Sequence, residues 1–294
     1  MPPLPKPSAS SSGTAQSRRA VTGNFMNNLE YSVHNLQLIP YIKHYFVLNF
    51  SSLPQESIEL RVPPVGSPVL HFHFGDNTNF YRHKHFTNQS LFIGQYSRHF
   101  ILYPSRETKL LGVIFKPYGL YNLFGISPNG FRNSAVESSF FFGEENLNRI
   151  TQTLMTEGIE SGITEIESLL LQFQNTNVKT LAYFDELVDK IVAENGLVTC
   201  SEMLNKTISI RTIQRYFKEV IGVSPKLFCQ ILRHKYILKL LYKNPEMKWC
   251  DMQLNSFYYD FAHFTKDFTR FSGLTPKKFL PQRNILAAAL LESE

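Results

Sequence analysis

The 294-residue chain reads as a two-domain α+β protein. An antiparallel β-barrel with flanking helices comes first, and an all-α module of two helix-turn-helix units joined by a linker helix follows. Three observations predict this. Short β-rich runs recur roughly every ten residues between Tyr41 and Pro117. From Glu144 the apolar period becomes helical. Two C-terminal segments then match each other at a constant offset of 51 residues. A content of 43% hydrophobic and 18% charged residues is enough for packed cores and excludes wholesale disorder.

Residues 1–23 are rich in Pro and Ser and are expected to form an unstructured tail, without the apolar run of a secretory signal. No run of 18 or more uncharged apolar residues appears, so no membrane span is expected. Cys200, Cys229 and Cys250 are an odd number at no metal-ligand spacing, which fits a reducing cytoplasm. Strands are predicted within 24–177, at 41–50, 58–62, 69–74, 91–94, 98–102 and 109–115, with turn residues between them. The segment 115–128 reads as a strand end, a turn and a short helix. Leu147, Ile150 and Leu154 form one helical stripe, and Ile163, Ile166, Leu169, Leu170 and Phe173 another, split by Gly158 and Gly162. The stripe serves equally as a dimer interface or as a cover for its own barrel. QNTN at 174–177 is the expected linker.

After Val178 the pattern is helical throughout. Residues 181–192 are amphipathic and stop at Asn195-Gly196. A helix from Pro225 to Tyr242 starts with proline in its first turn, where the missing N–H costs nothing. Residues 284–294 favour helix but have no evident role. Charge is unevenly divided. Residues 178–283 hold 17 Lys and Arg against 10 Asp and Glu, net +7, whereas 24–177 hold 10 against 12, net −2. A basic module joined to a slightly acidic one suits a polyanionic partner for the first, although a solvated basic surface reads the same way.

The repeat decides between these. SIRTIQRYFKEVIGVSPKLF (209–228) aligns with DFAHFTKDFTRFSGLTPKKF (260–279), pairing Phe217 with Phe268, Gly222 with Gly273, Pro225 with Pro276 and Phe228 with Phe279. Each copy opens on an N-cap residue, Ser209 or Asp260, and closes on a glycine suited to a left-handed position. Each is preceded by a short predicted helix, at 198–206 and 248–257, which completes the helix-turn-helix outline. In the first copy Ile210, Ile213, Phe217 and Val220 or Ile221 form the expected buried face, leaving Arg211, Thr212, Gln214, Arg215 and Lys218 outward. In the second, Phe264, Phe268 and Phe271 are buried and Ala262, His263, Thr265, Lys266 and Arg270 outward. Arginine and glutamine early in such a helix match the hydrogen-bonding edges of guanine and adenine in the major groove.

Residues 180–283 resemble the DNA-binding domain of AraC/XylS-type transcriptional regulators, on the two repeats together with RHKYILKLL (233–241) and FYYDFAHFTKDF (257–268). The resemblance implies two recognition helices entering successive major-groove segments of duplex DNA. Arg211, Thr212, Gln214 and Arg215 would read bases in the first unit, and Ala262, His263 and Lys266 in the second. Ser209, Lys218, Asp260, Arg270, Lys277 and Lys278 would meet phosphates, which position the protein without specifying sequence. Two residues depart from the family pattern: Phe257 stands where a glycine is usual, and Phe261 where a glutamine is common. Residues 36–172 resemble the cupin-like domain in front of some such modules, on LIPYIKHYFVL (38–48) and GVIFKPYGLYNLFGISPNGFRNSAVE (112–137). That resemblance implies a small-molecule sensor or a homodimerisation domain.

His71-x-His73 and His83-x-His85 each set two imidazoles on one strand face, as metal ligation requires. The glutamate that follows in metal-binding cupins is missing, since Asn77 and Thr78 occupy its place and Asp76 falls one step early. Surface or pocket-lining histidines are therefore expected, and neither a metal nor a cofactor. No nucleophile elbow or phosphate-binding glycine loop is present, so the chain is not expected to be an enzyme. The alternatives are a metal-binding cupin-type enzyme carrying the helical module, and an interaction protein whose DNA specificity has degraded at Phe257 and Phe261.

Overall fold

Alternation along β3 (Ile42–Asn49) sets the layering of the N-terminal domain. Tyr45 and Val47 point to one side, where helices cover them, and Phe46 and Leu48 point to the other, where a second small sheet does. A register shift between Ile42 and His44 lets Ile42 share the side of Tyr45 despite its even number. The computed structural model describes residues 18–19, 27–53, 56–76, 81, 90–179, 182–198, 209–244, 258 and 260–279. His83, His85, Asn77, Thr78, Phe257, the predicted helices at 198–206 and 248–257 (apart from Val198) and the segment 284–294 lie outside them.

The other strands are β1 (Arg18–Arg19), β2 (Asn27–Tyr31), β4 (Leu60–Val62), β5 (Val69–His73), β6 (Ser90–Ile93), β7 (Phe100–Leu102), β8 (Lys109–Phe115) and β9 (Ala135–Glu137). Six of them join β3 in one antiparallel sheet in the order β1-β2-β3-β8-β5-β6-β9, while β4 and β7 pair, among the described residues, only with each other. The predicted barrel is thus not closed among the described residues. Two elements remove the need for closure: the three-residue β4–β7 ladder lies over one face, and helices seal the other. Arg18 and Arg19, inside the stretch expected to be an unstructured tail, pair with Glu30 and Leu29 along the outer edge of β2.

The chain then forms α1 (Gly119–Phe124), a 3₁₀ turn at Pro128–Phe131, α2 (Ser139–Phe142), α3 (Glu144–Thr156) and α4 (Ile159–Gln172). The stripe Leu147, Ile150, Leu154, Ile163, Ile166, Leu169 and Leu170 packs on the sheet itself, against Tyr45, Val47, Leu111 and Val113. It is a cover for its own domain. Five helices follow among the described residues. They are α5 (Ala182–Ala193), α6 (Ile210–Tyr216, continued by a π turn over Phe217–Ile221), α7 (Pro225–Lys243), α8 (Phe261–Ser272) and α9 (Pro276–Phe279). Two cores form here. Phe184, Ile191, Ile213, Phe217, Phe228 and Ile231 belong to the first, and Ile237, Leu241, Phe264, Phe268 and Phe279 to the second. No helix among the described residues is long and apolar enough to cross a membrane.

One buried carboxylate ties the helical cover to the sheet. Glu167 of α4 accepts from the backbone N–H groups of His34 and Asn35 at 2.8 and 3.0 Å, and from the Tyr45 hydroxyl at 3.1 Å. Burial, reinforced by that carboxylate, raises the Tyr45 pKa, so the phenol stays a donor. Glu167→Ala would leave these donors unmatched and is expected to destabilise the protein by about 3 kcal/mol. Denaturant unfolding monitored by circular dichroism checks this, and a loss below about 1 kcal/mol would mean that water replaces the carboxylate.

Candidate nucleic-acid interface

Ser209 and Asp260 have extended backbones and cap α6 and α8. The Ser209 hydroxyl accepts from Thr212 N at 3.2 Å, and the Asp260 carboxylate from His263 N at 2.7 Å. At the other end Gly222 and Gly273 are left-handed, with φ of +88° and +75°. The offset of 51 residues seen in the sequence is therefore an offset between two equivalent capped helices.

Between the caps, each helix turns one face inward. Ile213 and Phe217 are buried in α6, as are Phe264, Phe268 and Phe271 in α8. Arg211, Gln214, Arg215 and Lys218 are exposed on the first, with Thr212 half-buried, and Ala262, His263 and Lys266 are exposed on the second. Ile210, expected on the buried face, is 38% exposed. Side chains lean toward a helix's N-terminus, so the first residue of α6 projects beyond the core that Ile213 reaches. Its counterpart Phe261 is 58% exposed at the same position of α8. Lys277 and Lys278 are exposed on α9. Arg270, also exposed, sits eight residues beyond Ala262, about 12 Å along the axis, so α8 separates it from the N-terminal cluster.

Buried polar contacts lock α8 to α7. Gln230 donates to the Asp267 carboxylate at 2.9 Å. His234 lies 3.1 Å from the Ser272 hydroxyl and packs edge-on against Phe268 and at a tilt against Phe271. Burial pushes the His234 pKa down to about 3, so it packs as a neutral ring. Asp267 lies 3.7 Å from His263 Nε2 and so links the buried network to an outward residue.

The N-terminal domain grips the same point of both helices. Ser127 Oγ donates to the carbonyl of Glu219 at 2.6 Å, and the His99 backbone N–H to the carbonyl of Arg270 at 3.3 Å, with His99 Nδ1 3.2 Å from that oxygen. Glu219 and Arg270 are 51 residues apart, hence equivalent in the repeat. The two glycines continue the match: a Cβ on Gly222 would press on Pro128, and one on Gly273 on His99 and Arg61. Tyr121 adds a hydrogen bond to the Glu219 carboxylate at 3.0 Å, Tyr118 donates to Asp189 at 3.0 Å, and Asn122 donates to Asp185 at 2.7 Å. Sequence reasoning assigned these N-terminal residues no role. Their signal lay in the segment 112–137, whose turn and short helix form most of this contact.

His71 and His73 share one face of β5 and are both buried, not at the surface. Burial lowers the pKa of each to about 3, helped at His71 by His73 and opposed at His73 by Asp76. No group of three His, Cys, Asp or Glu among the described residues is placed to hold a metal ion.

Residues 206–282 match the model of a helix-turn-helix domain, and residues 35–137 match a domain of unknown function, DUF6597. The C-terminal module therefore contains a helix-turn-helix domain. No curated protein matches the chain. Among solved structures, an apo form of ToxT from Vibrio cholerae aligns over 88% of this chain and 98% of its own, at 10% identity and a TM-score of 0.40. ToxT bound to (E)-4-(8-methylnaphthalen-1-yl)but-3-enoic acid aligns over 80% and 96%, at 11% identity and a TM-score of 0.38.

The domain contact should respond to pH through Asp185, whose pKa rises from its ordinary 3.8 to about 6. Burial is the main cause. The Asn122 hydrogen bond opposes it, Asp189 adds to it and Lys116 opposes it. The folded state then holds this proton more tightly than the unfolded state, so the contribution is full below pH ~4 and lost as pH rises through ~6. Asp185→Asn is expected to melt higher than the parent at pH 7, with the difference shrinking toward pH 4. Melting temperatures of both proteins across that range check it, and a difference independent of pH would refute it.

Proposed function

We propose that this chain, whose C-terminal domain is of the AraC helix-turn-helix type, is a sequence-specific duplex-DNA-binding transcription regulator with a small-molecule-responsive N-terminal domain. The observation that carries this is the pair of capped helices α6 and α8, equivalent at an offset of 51 residues and exposing polar or small side chains opposite their buried faces. On this reading Arg211, Gln214 and Arg215 reach base edges in one major-groove segment and His263 and Lys266 in the next, with Thr212 and Ala262 close to the bases. Ile210 and Phe261 project at equivalent positions and suit thymine methyl groups.

Lys218, Lys277 and Lys278 supply phosphate contacts. Ser209 and Asp260 spend their side-chain oxygens on capping, so their part at a phosphate falls to the backbone N–H groups of the first turn. Arg270 joins the lysines through its exposed guanidinium, since His99 holds only its backbone carbonyl. A homodimer would place two modules on one DNA and favour repeated half-sites.

Selection of duplexes from a randomised pool with the full-length chain tests the proposal. The expected product is two short blocks about one helical turn, ~10 bp, apart. Arg211→Ala or Gln214→Ala should then lose preference at one base pair, by ~1–3 kcal/mol, whereas Lys218→Ala should weaken all sequences alike and lower the salt slope by about 1. No enrichment, or equal weakening on every sequence by Arg211→Ala and Gln214→Ala, would overturn the base-reading assignment.

A further inference from the structure

Between the main sheet and the β4–β7 ladder lies a cavity of ≈ 590 Å³, its open mouth included. Its walls are apolar, with Phe46, Val69, Phe100 and Leu110 among them, and among the described residues no Asp, Glu, Lys or Arg lines it. Two buried polar side chains do. His71 bonds Tyr81 through Nδ1 at 3.0 Å and stays an uncharged ring, as its lowered pKa requires. Gln95 is 1% exposed, and its Nε2 has no hydrogen-bond partner among the described residues. A buried amide donor without an acceptor is disfavoured, and an acceptor brought in by a ligand removes the penalty. An ionised ligand would meet no counter-charge from the described lining, and its desolvation against these apolar walls would go largely uncompensated.

The rims of this cavity are the loops that touch the helical domain. Val62–Val65 and Ser67 line it, and the intervening Gly66 rests on α7, where a Cβ would lie 3.4–3.6 Å from Leu232, Phe228 and Ile231. Gly94–Tyr96 and Phe100 line its other rim, and His99 between them holds the Arg270 carbonyl of α8.

We propose that this cavity binds an uncharged, largely apolar small molecule with one hydrogen-bond acceptor engaged by Gln95 Nε2, and that its occupancy adjusts α7 and α8 through the two rims. The inference rests on the regulator reading above and assigns its effector a site and a chemical class.

Matched probes test it on the full-length protein. Calorimetric titration at pH 7.5 with 4-phenylbutan-2-one, a neutral ketone, is compared with 4-phenylbutanoate, its ionised analogue. The ketone is expected to bind and the carboxylate to bind at least about tenfold more weakly. Gln95→Leu should weaken the ketone about fivefold yet melt higher than the parent without ligand, because an unmatched donor has gone. Saturating ketone should shift half-saturation on the selected duplex at least threefold. A carboxylate that binds as tightly as the ketone, or no binding by either, overturns the site. Unchanged ketone affinity in Gln95→Leu overturns the role of Gln95. Ketone binding in the expected order without a shift on DNA overturns the coupling alone. Ketone binding by a protein that selects no duplex overturns the regulator reading and leaves the cavity assignment standing.

Discussion

Because α7 supplies a wall to each of the two helical cores, the recognition helices cannot move apart without bending it. Phe228, Ile231 and Leu232 at its start pack with Ile213 and Phe217, and Ile237, Leu238 and Leu241 further on pack with Phe264 and Phe268. A helix of 19 residues spans roughly 28 Å. That length fixes the distance between the two capped units, which on the proposed reading must suit the helical repeat of DNA. Apolar packing alone would tolerate sliding. The directional contacts Gln230 to Asp267 and His234 to Ser272 are buried, and a slip of one residue would leave an amide or a carboxylate unmatched. Packing therefore sets how strongly α8 is held, and these two contacts set its register.

The N-terminal domain adds a second constraint at a chemically suitable place. The last carbonyls of a helix lack partners within it. In both units one of those acceptors, on Glu219 or Arg270, is met from the N-terminal domain. Close approach there requires glycine at 222 and 273, where a positive φ already favours it, so one residue type serves both demands. The arrangement closes each of these helices at both ends, by the N-terminal domain at Glu219 or Arg270 and by its own cap at Ser209 or Asp260.

Much of the helical module was legible in the sequence because its determinants are local. Caps at Ser209 and Asp260, glycines at 222 and 273 and Pro225 in a first turn are read from neighbouring residues. The stripes of α3 and α4 were legible too, though not what they cover, since an apolar face is the same whether it meets its own sheet or a second chain. Barrel closure was not legible. Whether β4 and β7 join the main sheet or pair with each other depends on which distant edges meet, and alternation within a strand says nothing of that. Strands β2 and β9 carry no clear alternation and went unseen. The grip of Ser127 and His99 on partners 92 and 171 residues away has no local signature, because one hydroxyl or one imidazole on a carbonyl leaves no pattern.

The placement of that grip bears on how such a protein could be controlled. If DNA is read by the N-terminal turns of α6 and α8, the contacts at Glu219 and Arg270 lie at the opposite ends and do not compete with it. Control by simple uncovering would need the domain to cover Arg211 or His263, yet both are exposed with the domain in place. What the domain can change is direction. Its two holds use different segments, Ser127 and Pro128 beside α1 for the first unit, and for the second Arg61 of β4 and His99, which lies between the rim residues Tyr96 and Phe100. A disturbance at the rims reaches α8 directly and α6 only through α7. On the proposed reading the second recognition helix is the one whose aim the N-terminal domain can adjust, while the first is held at Glu219 by Ser127 and Tyr121, next to the bonds of Tyr118 and Asn122 to α5.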